Sequence, residues 1–132
     1  MCSSDLQRAT KSHRETSWEE LGFVEYANGI KSSQFKIGDD DDEQAPVVLI
    51  GTWPPGVTVG PHSHVSDYAE IIIAGSQQVT RRWHHAGDVR IVKGGTTYGP
   101  LVAGPEGVTV LIIFRDSRVQ TVGLKEVVEV TS

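Results

Sequence analysis

The sequence predicts an all-β fold, a sandwich or barrel. From Val24 onward, short runs of branched and aromatic residues alternate with turn formers. Glycines such as Gly75, Gly87, Gly94 and Gly95 punctuate the middle of the chain. No long segment carries the apolar period of a helix, and strands at short, regular intervals without such segments mark this class.

Residues 1–16 are polar and aperiodic, and are expected to form a disordered tail ahead of one domain over 17–132. Ser17 followed by Glu20 has the spacing of a capping box, which predicts a short helical turn over 18–21. Strands are expected over 30–37, 47–53, 57–59, 62–74, 77–85, 89–92, 108–114 and 127–130. Pro54, Pro55 and Gly56 end the second of these. The acidic run from Asp39 to Asp42 lacks the alternating ligands and turn glycine of a calcium loop, and reads as a solvated turn.

The chain has 132 residues, enough for one domain with a sizeable core and too few for two comfortable ones. A formal net charge of −5 argues against a nucleic-acid partner, which needs a basic face. Cys2 is the one cysteine, so neither an internal disulfide nor a cysteine metal site is expected. There is no apolar stretch after a basic start and no run long enough to span a bilayer. The expectation is therefore a cytoplasmic protein without a membrane partner.

The informative segment lies over 56–102. Gly56 is followed after five residues by His62, Ser63 and His64, and then by Gly75. Farther on, Gly87, Gly95 and Tyr98 keep a second fixed spacing. These positions resemble the two motifs of the cupin family, Gly-x5-His-x-His-x3-Glu-x6-Gly and Gly-x5-Pro-x-Gly-x2-His-x3-Asn. The resemblance implies a cupin-type β-barrel, a double-stranded β-helix or jelly roll, with its chemistry inside. The chain departs from the motifs at four positions: Tyr68 for the glutamate, Tyr98 for the third histidine, Lys93 for the proline and Val102 for the asparagine. The first two positions usually supply metal ligands in the family, so metal binding is not inherited from the resemblance alone.

Strand geometry offers a replacement. Side chains on a strand alternate faces, so His62, His64, Tyr68 and Glu70 share one parity. His62, His64 and Glu70 would form the two-histidine, one-carboxylate set that holds iron, manganese, nickel or, with the same ligands, zinc. Tyr98 would close the ring from the opposite strand. A metal-free polar pocket and a purely structural role for the histidines are the alternatives. Tyr68, Glu70 and Tyr98 are the expected catalytic groups. A desolvated carboxylate can act as a base near neutral pH, and a tyrosine beside a metal or a histidinium can have its pKa lowered enough to exchange protons.

Trp53, Gln78 and Arg82 are the expected substrate-binding residues, Arg82 for an anionic group. One of His84 and His85 faces inward by alternation, but an exposed turn is the preferred reading for the pair. Ile71, Ile73 and Val79 are expected on the face opposite the histidines, an apolar surface that needs cover. Cupins commonly pair through such faces, so the resemblance implies a homodimer. The lead functional expectation is metal-assisted acid–base chemistry of lyase, isomerase or dehydratase type on a small polar carbonyl or hydroxy compound. An iron-dependent dioxygenase and a non-catalytic ligand-binding cupin are the alternatives.

Overall fold

The computed structural model describes residues 12–123. The segment expected as a tail lies partly outside them, as does Cys2, and the strand expected over 127–130 lies wholly outside. Residues 12–17 carry no regular secondary structure. The expected helical turn is a 3-10 turn, Trp18–Glu20, and the Ser17 side chain makes no capping hydrogen bond to it. Among the described residues no helix is long and apolar enough to cross a membrane.

Ten strands follow among the described residues: β1 (Val24–Glu25), β2 (Lys31–Lys36), β3 (Val47–Trp53), β4 (Thr58–Val59), β5 (Ser63–His64), β6 (Tyr68–Val79), β7 (Arg82–His85), β8 (Val89–Val92), β9 (Leu101–Phe114) and β10 (Thr121–Val122). The main sheet runs β1-β2-β3-β9-β6-β7, with β4 on β9 and β8 on β6, while β5 pairs with β10. All these pairings are antiparallel. The long strands β6 and β9 form the spine, each pairing with different partners along its length. This is a jelly-roll β-barrel.

Register places the side chains in rows across the inner face. Val47, Phe114, Tyr68 and Val92 form one row, and Leu49, Ile112, Glu70 and Arg90 the next. A third joins Ser32, Gly51, Val110 and Ile72. Two small apolar clusters grow from these rows. One is Ile72, Ala103, Val108 and Val110, with Trp53 and Ile112 packed on it; the other is Val47, Tyr68 and Phe114.

Three expectations about the strands need correction. Residues 62–74 do not form one strand, because β5 ends at His64 and β6 begins at Tyr68. Residues 77–85 are a hairpin rather than one strand. β6 continues to Val79, and Thr80 and Arg81 turn with φ of 46° and 70° into β7. Such two-residue turns favour Asn-Gly, so Thr-Arg gave no turn signal. Finally, β9 starts at Leu101, well before residue 108, because β4 pairs with Leu101 and Val102 and β6 with Leu101, Val102 and Ala103; residues 104–107 lie between that stretch and the next paired residue, Val108.

The register of β6 against β9 shifts between Ile72 and Ala74 and again between Gly75 and Gln77. These irregularities change which parity points inward. Tyr68, Glu70 and Ile72 are buried before them, Gln77 and Val79 after them. Val79 is thus a core residue and not part of the outer face expected for it. Gly75 has φ of +76°, and a Cβ built on it would overlap the carbonyl oxygen of Gly107. Only glycine suits that combination of left-handed backbone and close strand approach.

Candidate functional site

His62 and His64 flank the start of β5, and the surrounding backbone holds both. His62 exchanges two backbone hydrogen bonds with Tyr98, of 3.0 and 3.1 Å. His64 lies opposite Thr121 of β10, and its carbonyl accepts from Gly95 N–H at 2.8 Å. The imidazoles are also tied down. Nδ1 of His62 lies 2.9 Å from the Gly60 carbonyl oxygen, and Nδ1 of His64 lies 2.9 Å from that of Val119. A carbonyl oxygen only accepts, so each Nδ1–H donates and each neutral ring leaves Nε2 bare. The two rings meet edge to face with centroids 5.2 Å apart.

Both histidines line a cavity of about 340 Å³ with Glu70, Tyr98 and Trp53. The rest of the wall is mostly apolar, including Leu49, Val59, Leu101, Val110 and Ile112. Few polar groups on an apolar wall is the usual composition of a small-molecule site, and the volume suits a small ligand.

Two phenols stand beside the imidazoles. The Tyr98 ring centroid is 5.3 Å from that of His62, and the Tyr68 ring centroid is 5.1 Å from that of His64. Tyr68 O–H donates to the Tyr98 hydroxyl oxygen. The Tyr98 oxygen accepts that bond, so its own proton is free for another acceptor. Tyr68 is buried and not part of the cavity wall, so it acts behind Tyr98. Burial pushes both pKa values up, Tyr68 beyond the ordinary phenol range with further help from Tyr98. Both are held protonated. Burial also lowers the pKa of His64, opposed by its bond to Val119 and assisted by the neighbouring His62 and Arg90.

The expected metal set is not assembled. Glu70 pairs with Arg90, the residue directly across from it on β8, rather than joining the histidines. Arg90 Nε donates to Glu70 Oε1 at 3.1 Å, and Arg90 Nη2 donates to the same oxygen. The charges that act on His64 are His62 and Arg90, both cationic when protonated. A divalent ion would have to share this space with a guanidinium. Among the described residues, no group of three or more His, Cys, Asp and Glu side chains is arranged to hold a metal ion. The donor set therefore does not fit iron, manganese, nickel or zinc as expected for His62, His64 and Glu70.

Of the expected substrate-binding residues, Trp53 lines the cavity and the other two do not. The shifted register turns Gln77 inward in place of Gln78, and Gln78 lies opposite the exposed Trp83. Arg82 is exposed beside the hairpin turn. His84 is half-buried rather than exposed, opposite the buried Gln77. Burial, Arg90 and Arg82 lower its pKa.

Sequence reasoning missed Arg90, the hub of the site. Besides its ion pair, its guanidinium carbon sits 4.8 Å from the centroid of the Tyr98 ring. The alternation of Val89, Arg90 and Ile91 was visible, but its usual polarity is inverted. Val89 and Ile91 face outward, 56% and 86% exposed, while the arginine faces in. The signal that would have revealed it is the cross-strand partner of Glu70.

No protein-family model matches the chain, and no curated protein sequence does. Solved structures do. An RmlC-like cupin from Shewanella frigidimarina superposes with a TM-score of 0.64 at 15% identity, over 78% of this chain and 90% of that one. KdgF from Halomonas sp. gives 0.62 at 17% identity, over 79% of this chain and 94% of that one. Oxalate decarboxylase from Bacillus subtilis gives 0.65 at 18% identity, over 88% of this chain but only 32% of that longer one. At these identities the likeness speaks to fold alone. With the antiparallel topology, it shows that the chain has the cupin-type jelly-roll fold.

Proposed function

We propose that the barrel binds a small polar carbonyl or hydroxy compound and moves a proton on it, as lyases, isomerases and dehydratases do. The observation that carries this reading is the pair of imidazoles lining the cavity, each anchored through Nδ1–H and each leaving Nε2 bare. A bare Nε2 fixed by a backbone carbonyl is the arrangement of a general base. His64, with its pKa lowered, is neutral near neutral pH and takes the proton at Nε2. Tyr98, kept protonated by burial, donates its O–H to the oxygen on which charge develops. Tyr68 supports that donation by filling the acceptor position on the Tyr98 oxygen. Leu49, Trp53 and Ile112 receive the apolar part of the ligand. Oxalate decarboxylase, among the similar folds, acts by its name on a small carboxylic acid, which supports the reading at the level of fold only.

The test is solvent exchange. The protein is incubated in D2O with a panel of small hydroxy and keto acids, aldoses and ketoses, and deuterium uptake is followed by NMR. Uptake at carbon or net conversion of at least one compound is expected, lost in His64→Ala and reduced about a hundredfold or more in Tyr98→Phe. A compound that binds in the cavity and is returned with no exchange overturns the catalytic reading.

That outcome would favour the second reading, a non-catalytic ligand-binding cupin. Its supporting observation is that Glu70, the carboxylate of the cavity wall, is engaged with Arg90. The dioxygenase alternative needs Glu70 beside the two histidines, and the same pairing speaks against it.

We also propose that the domain pairs with a second copy through its outer sheet face, where Ile73, Val89, Ile91 and Ile113 are exposed. A cytoplasmic location belongs to the same proposal and is checked by cell fractionation.

A further inference from the structure

We propose that Arg90 stands in for a metal ion: the cation of this barrel is a guanidinium carried by the chain, and its hold on Glu70 keeps that carboxylate from joining His62 and His64 as a metal ligand.

Glu70 and Arg90 face each other across β6 and β8 and point into the barrel. Their side chains are 5% and 14% exposed. Two nitrogens of the guanidinium converge on one oxygen of Glu70, Nε at 3.1 Å and Nη2 beside it. The guanidinium also lies over the Tyr98 ring, 4.8 Å from its centroid. A fork held on one side by a carboxylate and stacked on the other against an aromatic face is a fixed cation. Tyr98 in turn is bonded through its backbone to His62. Arg90 is therefore tied, within two contacts, to two of the three residues that a metal would need.

The imidazoles have the complementary half of the arrangement. Each donates Nδ1–H to a backbone carbonyl and leaves Nε2 free. That anchoring also orients imidazoles for a metal ion. What is missing is the carboxylate, and Glu70 lines the same cavity as His62 and His64. A buried carboxylate bonded to a guanidinium cannot also serve a divalent ion without breaking that pair, and two cations at close range in a poorly solvated cavity repel strongly. Removing the guanidinium charge lifts both obstacles and frees Glu70 to turn toward the two imidazoles that line the same cavity. Arginine is well suited to the blocking role because its charge persists at any physiological pH.

The inference does not depend on the proton-transfer reading, and its test does not use activity. Cobalt(II) is titrated into the metal-stripped protein while the visible d–d absorption and the bound metal per chain are recorded. Wild type is expected to take up no stoichiometric cobalt. Arg90→Gln, and Arg90→Met, which keeps an apolar stem over the Tyr98 ring, are each expected to bind one cobalt per chain at least about tenfold more tightly than wild type. The added site disappears in Arg90→Met combined with His64→Ala or Glu70→Ala. Arg90→Lys keeps a cation in place and is expected to stay metal-free. Stoichiometric cobalt in wild type, lost on His62→Ala or Glu70→Ala, overturns the proposal even if no Arg90 variant folds. A folded Arg90→Gln or Arg90→Met that binds no cobalt overturns it as well. Failure of either kind leaves the solvent-exchange result standing on its own.

Discussion

Replacing Glu70 by leucine tests whether the ion pair inside the barrel is a buried one or merely a crowded surface contact. The side chain is 5% exposed and its partner's is 14% exposed, so little water reaches the charge left behind. Removing one partner of a buried pair typically costs about 3–5 kcal/mol, because the other charge stays buried and uncompensated. The residual access of Arg90 to solvent places Glu70→Leu at the low end, about 3 kcal/mol. Arg90→Met, which strands the carboxylate, is expected to cost a similar amount. The double variant replaces both charges by apolar groups and is expected within about 1 kcal/mol of wild type. The coupling between the two positions is then about 5 kcal/mol. Urea unfolding reads this directly. With a slope of about 2 kcal/mol/M, each single variant loses about 1.5 M in its midpoint, and the double variant recovers most of it. Single losses below about 1 kcal/mol, the range of exposed pairs, would refute the burial argument. So would additive losses, because the two charges would then not depend on each other.

Three further outcomes follow from the same geometry. His64 has its pKa lowered below the ordinary 6.5, so the unfolded chain takes up this proton before the folded chain does. Its contribution to stability is present above pH 6.5 and is lost as the pH falls through the lower folded-state value; denaturation from neutral to mildly acidic pH should show a steeper fall in wild type than in His64→Gln. Gly75→Ala places a Cβ against the Gly107 carbonyl at a left-handed backbone position and should cost about 3 kcal/mol or more, read as a loss of melting temperature, whereas Ala74→Gly beside it should cost about 1 kcal/mol or less. Ile91, 86% exposed on β8, is central to the proposed pairing face, so Ile91→Glu should convert a dimer to a monomer in light scattering without changing the circular-dichroism spectrum.

The barrel was legible because its strands are short, apolar and separated by strong turn formers. Val47–Trp53 and Val89–Val92 have the bounds that pattern predicts. His62 and His64 were legible as inward neighbours because residues two apart on extended backbone share a face. Parity stops being reliable where the strand is irregular. Counting by twos from His62 places Glu70 correctly, then fails at Gln78, because the register shifts around Ala74 and Gly75 exchange the faces. The hairpin at Thr80 and Arg81 was hidden for a related reason: both adopt positive φ without the residues that advertise such a turn. Arg90 was hidden by inversion. A charged residue between two branched apolar ones normally points to water, and here the sheet carries its apolar pair outward and its arginine inward. Only the pairing of β8 with β6, a long-range fact, reveals that the arginine has a carboxylate waiting across the strand. The same pairing removes Glu70 from the metal set that parity alone assembles.

The state of the two imidazoles is what the whole reading rests on, and long-range proton–nitrogen NMR of the histidine rings in the purified protein measures it without any ligand. His62 and His64 are both expected as the Nδ1–H tautomer when neutral, with an unprotonated Nε2, and the His64 signals should keep that pattern below the pH at which an ordinary histidine is half protonated. Finding Nε2–H on either ring would mean that its Nδ1 is not donating to the Gly60 or Val119 carbonyl, and that the cavity does not hold the bare base on which the proposed chemistry depends.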